Sequence, residues 1–209
     1  QLPLIRGVMR AARSAGLNCP VVNASYPDAT HAVLAAEGLA PTIGVGNAGM
    51  LHMTLAGDLR GRSDERSIRL LAHHAHVTPF ARGQGYGALV APWFFLDDRQ
   101  VALDEVAQGC LPEGRVLNAL TAAHALDVIG ALLGIRPPLL TSAPGPAGLP
   151  GGSPDQIDRH RVELALPTGV RLAQAGTYPA QPPLGDGLAP HSTAALRGVG
   201  TQGCRRSRA

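Results

Sequence analysis

Apolar residues at Leu4, Val8, Ala11 and Ala15 fall on one helical stripe, with Arg6, Arg10 and Arg13 elsewhere on the turn. The spacing predicts an amphipathic helix over 3–15, stopped by Gly16. A short strand centred on Val21 and Val22 follows and ends at Pro27. Asp28 then caps a helix over 29–37 that Gly38 closes. Thr42 and Ile43 form a second short strand running into the glycine turn Gly44–Gly49, with a helix at about 50–56. Helix, strand, helix, strand, helix is the succession of a parallel α/β sheet.

From Ser67 the pattern changes. Residues 67–78 and 88–96 read as long strands, and the Asp97-Asp98 turn into Gln100–Leu103 predicts an antiparallel hairpin in which Trp93, Phe94 and Phe95 are strand core. A long helix over 114–133 carries Val116, Leu120, Ala123, Leu126, Ile129 and Leu133 on one apolar stripe; His124 and Asp127, three apart, have the spacing of a shared site or of a solvated helix edge, and the edge is the expectation. Residues 161–166 alternate as a half-buried strand that Pro167 ends, and Gly148–Gly152 reads as a connector or a loop over a site. Past about 178, prolines, glycines and a terminal arginine cluster leave no periodicity, which predicts a disordered tail. The expected organisation is a sheet half at 1–47, an α+β domain at 48–177 and the tail at 178–209.

Composition narrows the function classes. The 209 residues contain no lysine, and the formal charge of +3 is concentrated partly in Arg205, Arg206 and Arg208, so a basic footprint for nucleic acid is missing. Cys19, Cys110 and Cys204 match no zinc or redox spacing and read as free thiols of a cytoplasmic protein. Asn118, His124 and Asp127 interrupt the most apolar segment, so no membrane span is expected, and the first residues lack the pattern of a signal peptide.

Two motifs carry candidate chemistry. Gly44-Val-Gly46-Asn-Ala-Gly49 is a literal G-x-G-x-x-G, with Asp64 and Glu65 some twenty residues on; such glycines let a backbone approach a pyrophosphate, or simply make a strand-to-helix turn. In the strand expected over 67–78, alternation puts His74 and His76 on one face and His73 on the other, so that pair could exchange protons, hold a metal or be structural.

The order of these pieces resembles the lactate and malate dehydrogenase superfamily, which includes the NAD-dependent family 4 glycosidases. The resemblance rests on the helix start Gln1-Leu-Pro-Leu-Ile, the strand Pro20–Tyr26, the turn Ile43–Asn47, the histidine strand, the long helix and the strand ending Leu166-Pro-Thr-Gly169, over about residues 1–175. It implies the C-terminal part of a Rossmann-type parallel sheet followed by an α+β substrate domain. The phosphate-binding first βαβ unit would precede Gln1, so an N-terminally truncated chain is expected. There are departures: Tyr26-Pro27 stands for the family's Asn-Pro, and the helix after the glycine turn lacks the dehydrogenase Asp and Arg. The histidine strand is more similar to that of the glycosidases, whose Cys-His metal turn corresponds to Gly46-Asn47 here.

What the resemblance implies is an NAD(P)-linked oxidoreductase, or a redox-assisted hydrolase, acting on a small polar substrate. His74 and His76 would be catalytic, Asn23, Ser25, Tyr26, Gly44 and Gly46 would contact NAD or NADP, Asn47 would contact substrate, and no metal ligand is assigned. A small molecule is the expected partner, without nucleic acid or membrane, and a homo-oligomer is compatible with this. The competing expectations are a non-catalytic remnant or interaction protein, and a metal hydrolase using His74 and His76.

Overall fold

The computed structural model describes residues 1–81, 91–107, 115–149 and 151–171. The elements are α1 (Leu2–Ser14), β1 (Val22–Asn23), α2 (Pro27–Ala36), β2 (Ile43–Gly44), α3 (Asn47–Gly61), β3 (Ile68–Leu71), α4 (His74–Ala81), β4 (Trp93–Leu96), β5 (Arg99–Val101), α5 (Leu103–Val106), α6 (Arg115–Leu133), β6 (Leu139–Pro144), β7 (Gly152–Asp158) and β8 (Arg161–Leu164). They make a mixed α/β fold with three small sheets: a parallel pair β1–β2, an antiparallel β3–β4–β5 and an antiparallel β6–β7–β8.

The first half follows its sequence punctuation closely. Gly16 and Gly38, at φ +64° and +69°, close α1 and α2 as expected, with Leu39 N–H donating back to Leu34 O at 2.7 Å. Asp28 is not the cap of α2. Tyr26 occupies that position in the left-handed region (φ 50°), Pro27 takes the first helical place, where its missing N–H is harmless, and Asp28 lies in the first turn. The hairpin at Asp97-Asp98 also forms, with Phe94 opposite Val101, and Asp97 Oδ1 accepts from the N–H and the Oγ of Ser67.

The second half departs from expectation in two ways. The strand expected over 67–78 stops at Leu71, and α4 begins at His74. The other departure is the β6–β7 hairpin, whose strands lie where no strand is expected, because prolines and glycines break the pattern and β7 is a polar sequence, Gly-Ser-Pro-Asp-Gln-Ile-Asp, that is nonetheless buried along most of its length. Gly148–Gly152 falls within this hairpin connection, with Gly148 backed against Ala35 of α2. Residues 88–90, Cys110, Cys204 and the expected tail lie outside the described residues.

The centre of the protein is α3. Leu51, Leu55 and Leu59 pack with Ile68, Leu70, Phe94, Leu96 and Val101 in one cluster. Ile43 and Val45 join Val128, Ala131, Leu132, Ala143 and Ile157 in a second. Adjacent residues of β6 point to opposite sides of the strand. Thr141 Oγ1 bonds His124 Nε2 of α6 at 3.0 Å, and Ser142 Oγ bonds His52 Nδ1 of α3 at 3.3 Å while accepting the Leu70 N–H at 3.2 Å. His124 is therefore an interior residue and not a solvated helix edge.

Both apolar stripes read from the sequence turn outward. On α1, Leu4 and Val8 are 72% and 56% exposed, and the helix is held largely by polar contacts, among them the Arg6–Glu37 pair at 2.5 Å. On α6, the buried side is His124, Val128, Ala131 and Leu132, whereas Leu126 and Leu133 are 60% and 54% exposed. A helix that is apolar on nearly every side gives periodicity no purchase, and specific contacts choose its face. By length and composition Val116–Leu133, with mean hydropathy 1.6, is enough to cross a membrane, but one side of it belongs to the protein core.

Burial fixes the charge states of the polar interior. Desolvation pushes His52 down to about 3 and His124 down to about 4, so both are neutral in the native state; their contribution is intact above the ordinary imidazole value of 6.5 and lost as pH falls below it. Asp155 has the opposite sign. It is fully buried, Oδ2 has no partner, and burial raises its carboxyl well above the ordinary range despite bonds from Ser153 and the Ala143 backbone. Such a group favours the native state below the ordinary carboxylate value and loses that contribution as pH rises. Asp155→Asn, which keeps the shape without the ionisation, should make the chain more resistant to urea than the native protein at pH 7.5. The advantage should shrink steadily toward pH 4, and a pH-independent difference would show that the carboxyl is not held neutral.

Candidate functional site

Three helices begin where the strands of the first half end. The turn after β1 is built by Asn23, whose Oδ1 accepts the Ser25 N–H at 2.8 Å while Nδ2 donates to Thr30 Oγ1 at 3.1 Å. Thr30 in turn donates to Tyr26 O at 2.9 Å. This clasp holds Tyr26 in its left-handed conformation and leaves the residue 63% exposed. Pro27 then packs beneath Gly44 of β2, and Gly46 opens α3 in extended conformation.

Histidines start α4. His73 Nδ1 accepts the Ala75 N–H at 3.2 Å, and His76 Nδ1 accepts the His73 N–H at 2.8 Å. This is the reciprocal geometry of a capping box, with imidazole nitrogens in place of the hydroxyl and carboxylate. The two rings meet edge to face with centroids 6.3 Å apart. The expected pairing of His74 with His76 on one strand face is thereby corrected: the helix sends His76 into the interior, 3% exposed, and leaves His74 outside. A strand reading fails here because the His-x-x-His cap ends the extended stretch and nucleates a turn.

His74 and Asn47 are brought together, with Asn47 Nδ2 donating to His74 Nδ1. That bond makes Nδ1 the acceptor and puts the proton of the neutral ring on Nε2. Asp28, in the first turn of α2, belongs to the same place. Its carboxyl is raised by burial against the opposing pull of His73, His74 and His31, and its Oδ1 is buried without a partner. Behind it, His31 is wholly buried and held neutral by desolvation; Nδ1–H donates to Gly145 O at 3.0 Å, and Nε2 has no partner. The cluster thus combines an exposed imidazole, an amide that orients it and a carboxyl poised to carry a proton. The positive ends of three helix dipoles lie at their first turns.

The residues expected to contact a dinucleotide are differently placed. Asn23 is 2% exposed with its amide engaged in the turn, and Ser25 Oγ donates to Gln1 Oε1 at 2.9 Å. A side chain at Gly44 would collide with Pro27 and Pro144, and one at Gly49 with the His124 ring, so both glycines make room for protein atoms. Only Gly46 leaves open space, with Pro27 Cγ at 3.7 Å the nearest atom, and Tyr26 alone of the set presents much surface. These residues do not fit a pyrophosphate cradle. Among the described residues no three His, Cys, Asp or Glu side chains are placed to hold a metal ion. Trp93 lies half-buried beside Leu71 and Phe95, as strand core.

Asp28, His73 and His31 do not stand out as site residues in the sequence. The available signal is position: Asp28 and Asn47 each open a helix directly after a strand of a parallel pair, the edge where open α/β sheets bind ligands. No protein family, curated protein or solved structure matches the chain.

Two sets of substitutions test these roles. His76→Gln, which keeps an acceptor at the third helical position, should melt close to the native protein, whereas His76→Ala should lose about 1–3 kcal/mol through the lost cap and the space left behind. Among the glycines, Gly44→Ala and Gly49→Ala should each cost about 1–3 kcal/mol by overpacking, and Gly46→Ala under about 1 kcal/mol. Equal costs at all three positions, by chemical denaturation, would count against a packing role for the motif.

Proposed function

We propose that the chain is an enzyme that transfers a proton on a small polar, preferably anionic, substrate, with His74 as the acid–base group and Asn47 as its orienting partner. The observation that carries this reading is the Asn47–His74 hydrogen bond at the carboxyl end of the parallel β1–β2 pair, beside the buried carboxyl of Asp28. In the neutral ring His74 presents Nε2–H to the substrate; for Nε2 to take a proton the Asn47 amide turns over so that its Oδ1 accepts from Nδ1–H, which frees the Nε2 lone pair, and the imidazolium so formed returns the proton from Nε2. Asp28 sits in surroundings that favour its neutral form and supplies a second proton store close to His73 and His74. The first turns of α2, α3 and α4 attract negative charge on the substrate.

This is the proton-moving part of the oxidoreductase reading, and the β1–α2–β2 unit is in keeping with a Rossmann-type sheet. The dinucleotide part has less support, since Asn23, Ser25 and Gly44 are occupied by the fold itself.

The test is exchange of a substrate carbon-bound proton with solvent. A panel of small hydroxy acids, keto acids and sugars is incubated with the chain in deuterium oxide and followed by proton NMR. At least one compound should lose the signal of a proton α to its carbonyl or carboxyl group, where the electron pair left behind is taken up as an enol or enolate. His74→Gln should slow that exchange by about a hundredfold or more, and His76→Gln should leave it nearly unchanged. Exchange that ignores His74, or none across the panel, defeats the proposal. Calorimetry with NAD should give no sub-micromolar binding.

A further inference from the structure

The outward side of α6 is a seam with coiled-coil spacing. Ala119, Ala122, Leu126, Ile129 and Leu133 are all exposed and follow one another at intervals of three, four, three and four residues. The seam has no charge. Asp127 is the only charged residue from 116 to 133, and Arg136 of the same chain pairs with it.

From this we infer that α6 pairs antiparallel with α6 of a second copy of the chain about a two-fold axis. Small and large residues decide the orientation. When the two seams run antiparallel so that Ala122 faces Leu126 of the second copy, Ala119 faces its Ile129, and the symmetry repeats both pairings. All four layers then match an alanine with a large aliphatic residue, which allows close, even packing. A parallel pair would set alanine on alanine at one end and leucine or isoleucine on its own kind at the other, and the helices would splay.

Charge and area point to the same occupant. An uncharged face meets its own copy without like-charge repulsion, and the one nearby ion pair is already satisfied within each chain. Leu126, Ile129 and Leu133 of the seam are 60%, 40% and 54% exposed, on the order of 300 Å² in sum before the two alanines are added, a substantial part of the apolar share of an interface that hides ~800 Å² per partner. The helix is already fixed by its inner face, so pairing orders little additional chain. A lipid surface is the poorer occupant, because a helix lying on a membrane flanks its apolar face with lysine and arginine along its length, and α6 carries arginine only at its first residue, Arg115.

The experiment is sedimentation of the full chain under reducing conditions up to ~100 µM, where an interface of this class is populated. The native chain should be a dimer. Ala122→Glu and Leu126→Lys, both at exposed positions and checked for native circular dichroism and melting, should each weaken association by roughly 30-fold or more. Mixed in equal amounts, the two variants should associate again, because the antiparallel register sets the carboxylate introduced on one chain against the ammonium introduced on the other. A native chain that is monomeric throughout, a dimer indifferent to both substitutions, or variants that stay monomeric when mixed would overturn the proposal. So would a native monomer that binds phosphatidylcholine–phosphatidylserine vesicles through a Leu126-sensitive contact.

Discussion

Helices α3 and α6 pack closely at Gly49, where the His124 imidazole fills the space a side chain would occupy. Much of the interior is arranged around this contact. The ring reaches Thr141 on β6 with Nε2, and the neighbouring Ser142 takes His52 from α3 and a backbone amide from β3 on the other side. One strand thus fastens α6, α3 and β3, at the expense of two histidines that must stay neutral. Buried polar groups specify a packing when they are bonded, and here adjacent hydroxyls of β6 set which helix lies on which side.

Because α3 is held from behind, its first residue is fixed in space. Asn47 stands at that end, and the starts of α2 and α4 are brought to it by equally local devices: the Asn23–Thr30 clasp with Pro27 in one case, the His73–His76 cap in the other. The groups that bond the backbone are therefore distinct from His74 and Asp28. Asn23, His73 and His76 spend bonding capacity on turns and helix starts, whereas His74 stays exposed and Asp28 retains a buried oxygen without a partner. The His74 imidazole is carried on the first residue of α4 and bonded to the first residue of α3, so its orientation is not set by a loop.

The glycine motif illustrates how one residue type can serve two purposes that a sequence does not tell apart. A backbone bare of Cβ admits a phosphate or another part of the protein equally well. At Gly44 the visitor is Pro27 with Pro144, and at Gly49 it is His124, and none of the three is close in sequence to the glycine it fills.

Local chemistry made part of this protein legible in its sequence: Gly16 and Gly38 at the ends of α1 and α2, the Asp97-Asp98 hairpin and the long α6 each depend on neighbours a few positions away. The order of helices and short strands up to α3 was legible for the same reason. What only the tertiary structure decided is which side of a helix is inside and which polar residues are spent. The faces of α1 and α6 were misjudged because apolar residues surround α6 and because α1 is held by Arg6 and Glu37, contacts that periodicity does not register. His76 became a cap and His124 an interior bond because their partners are an unpaired helix amide and a hydroxyl on β6. Asp28 joins His74 only when two helix starts separated by nearly fifty residues meet. Burial and pairing across such distances are properties of the packed chain, and a one-dimensional pattern holds no record of them.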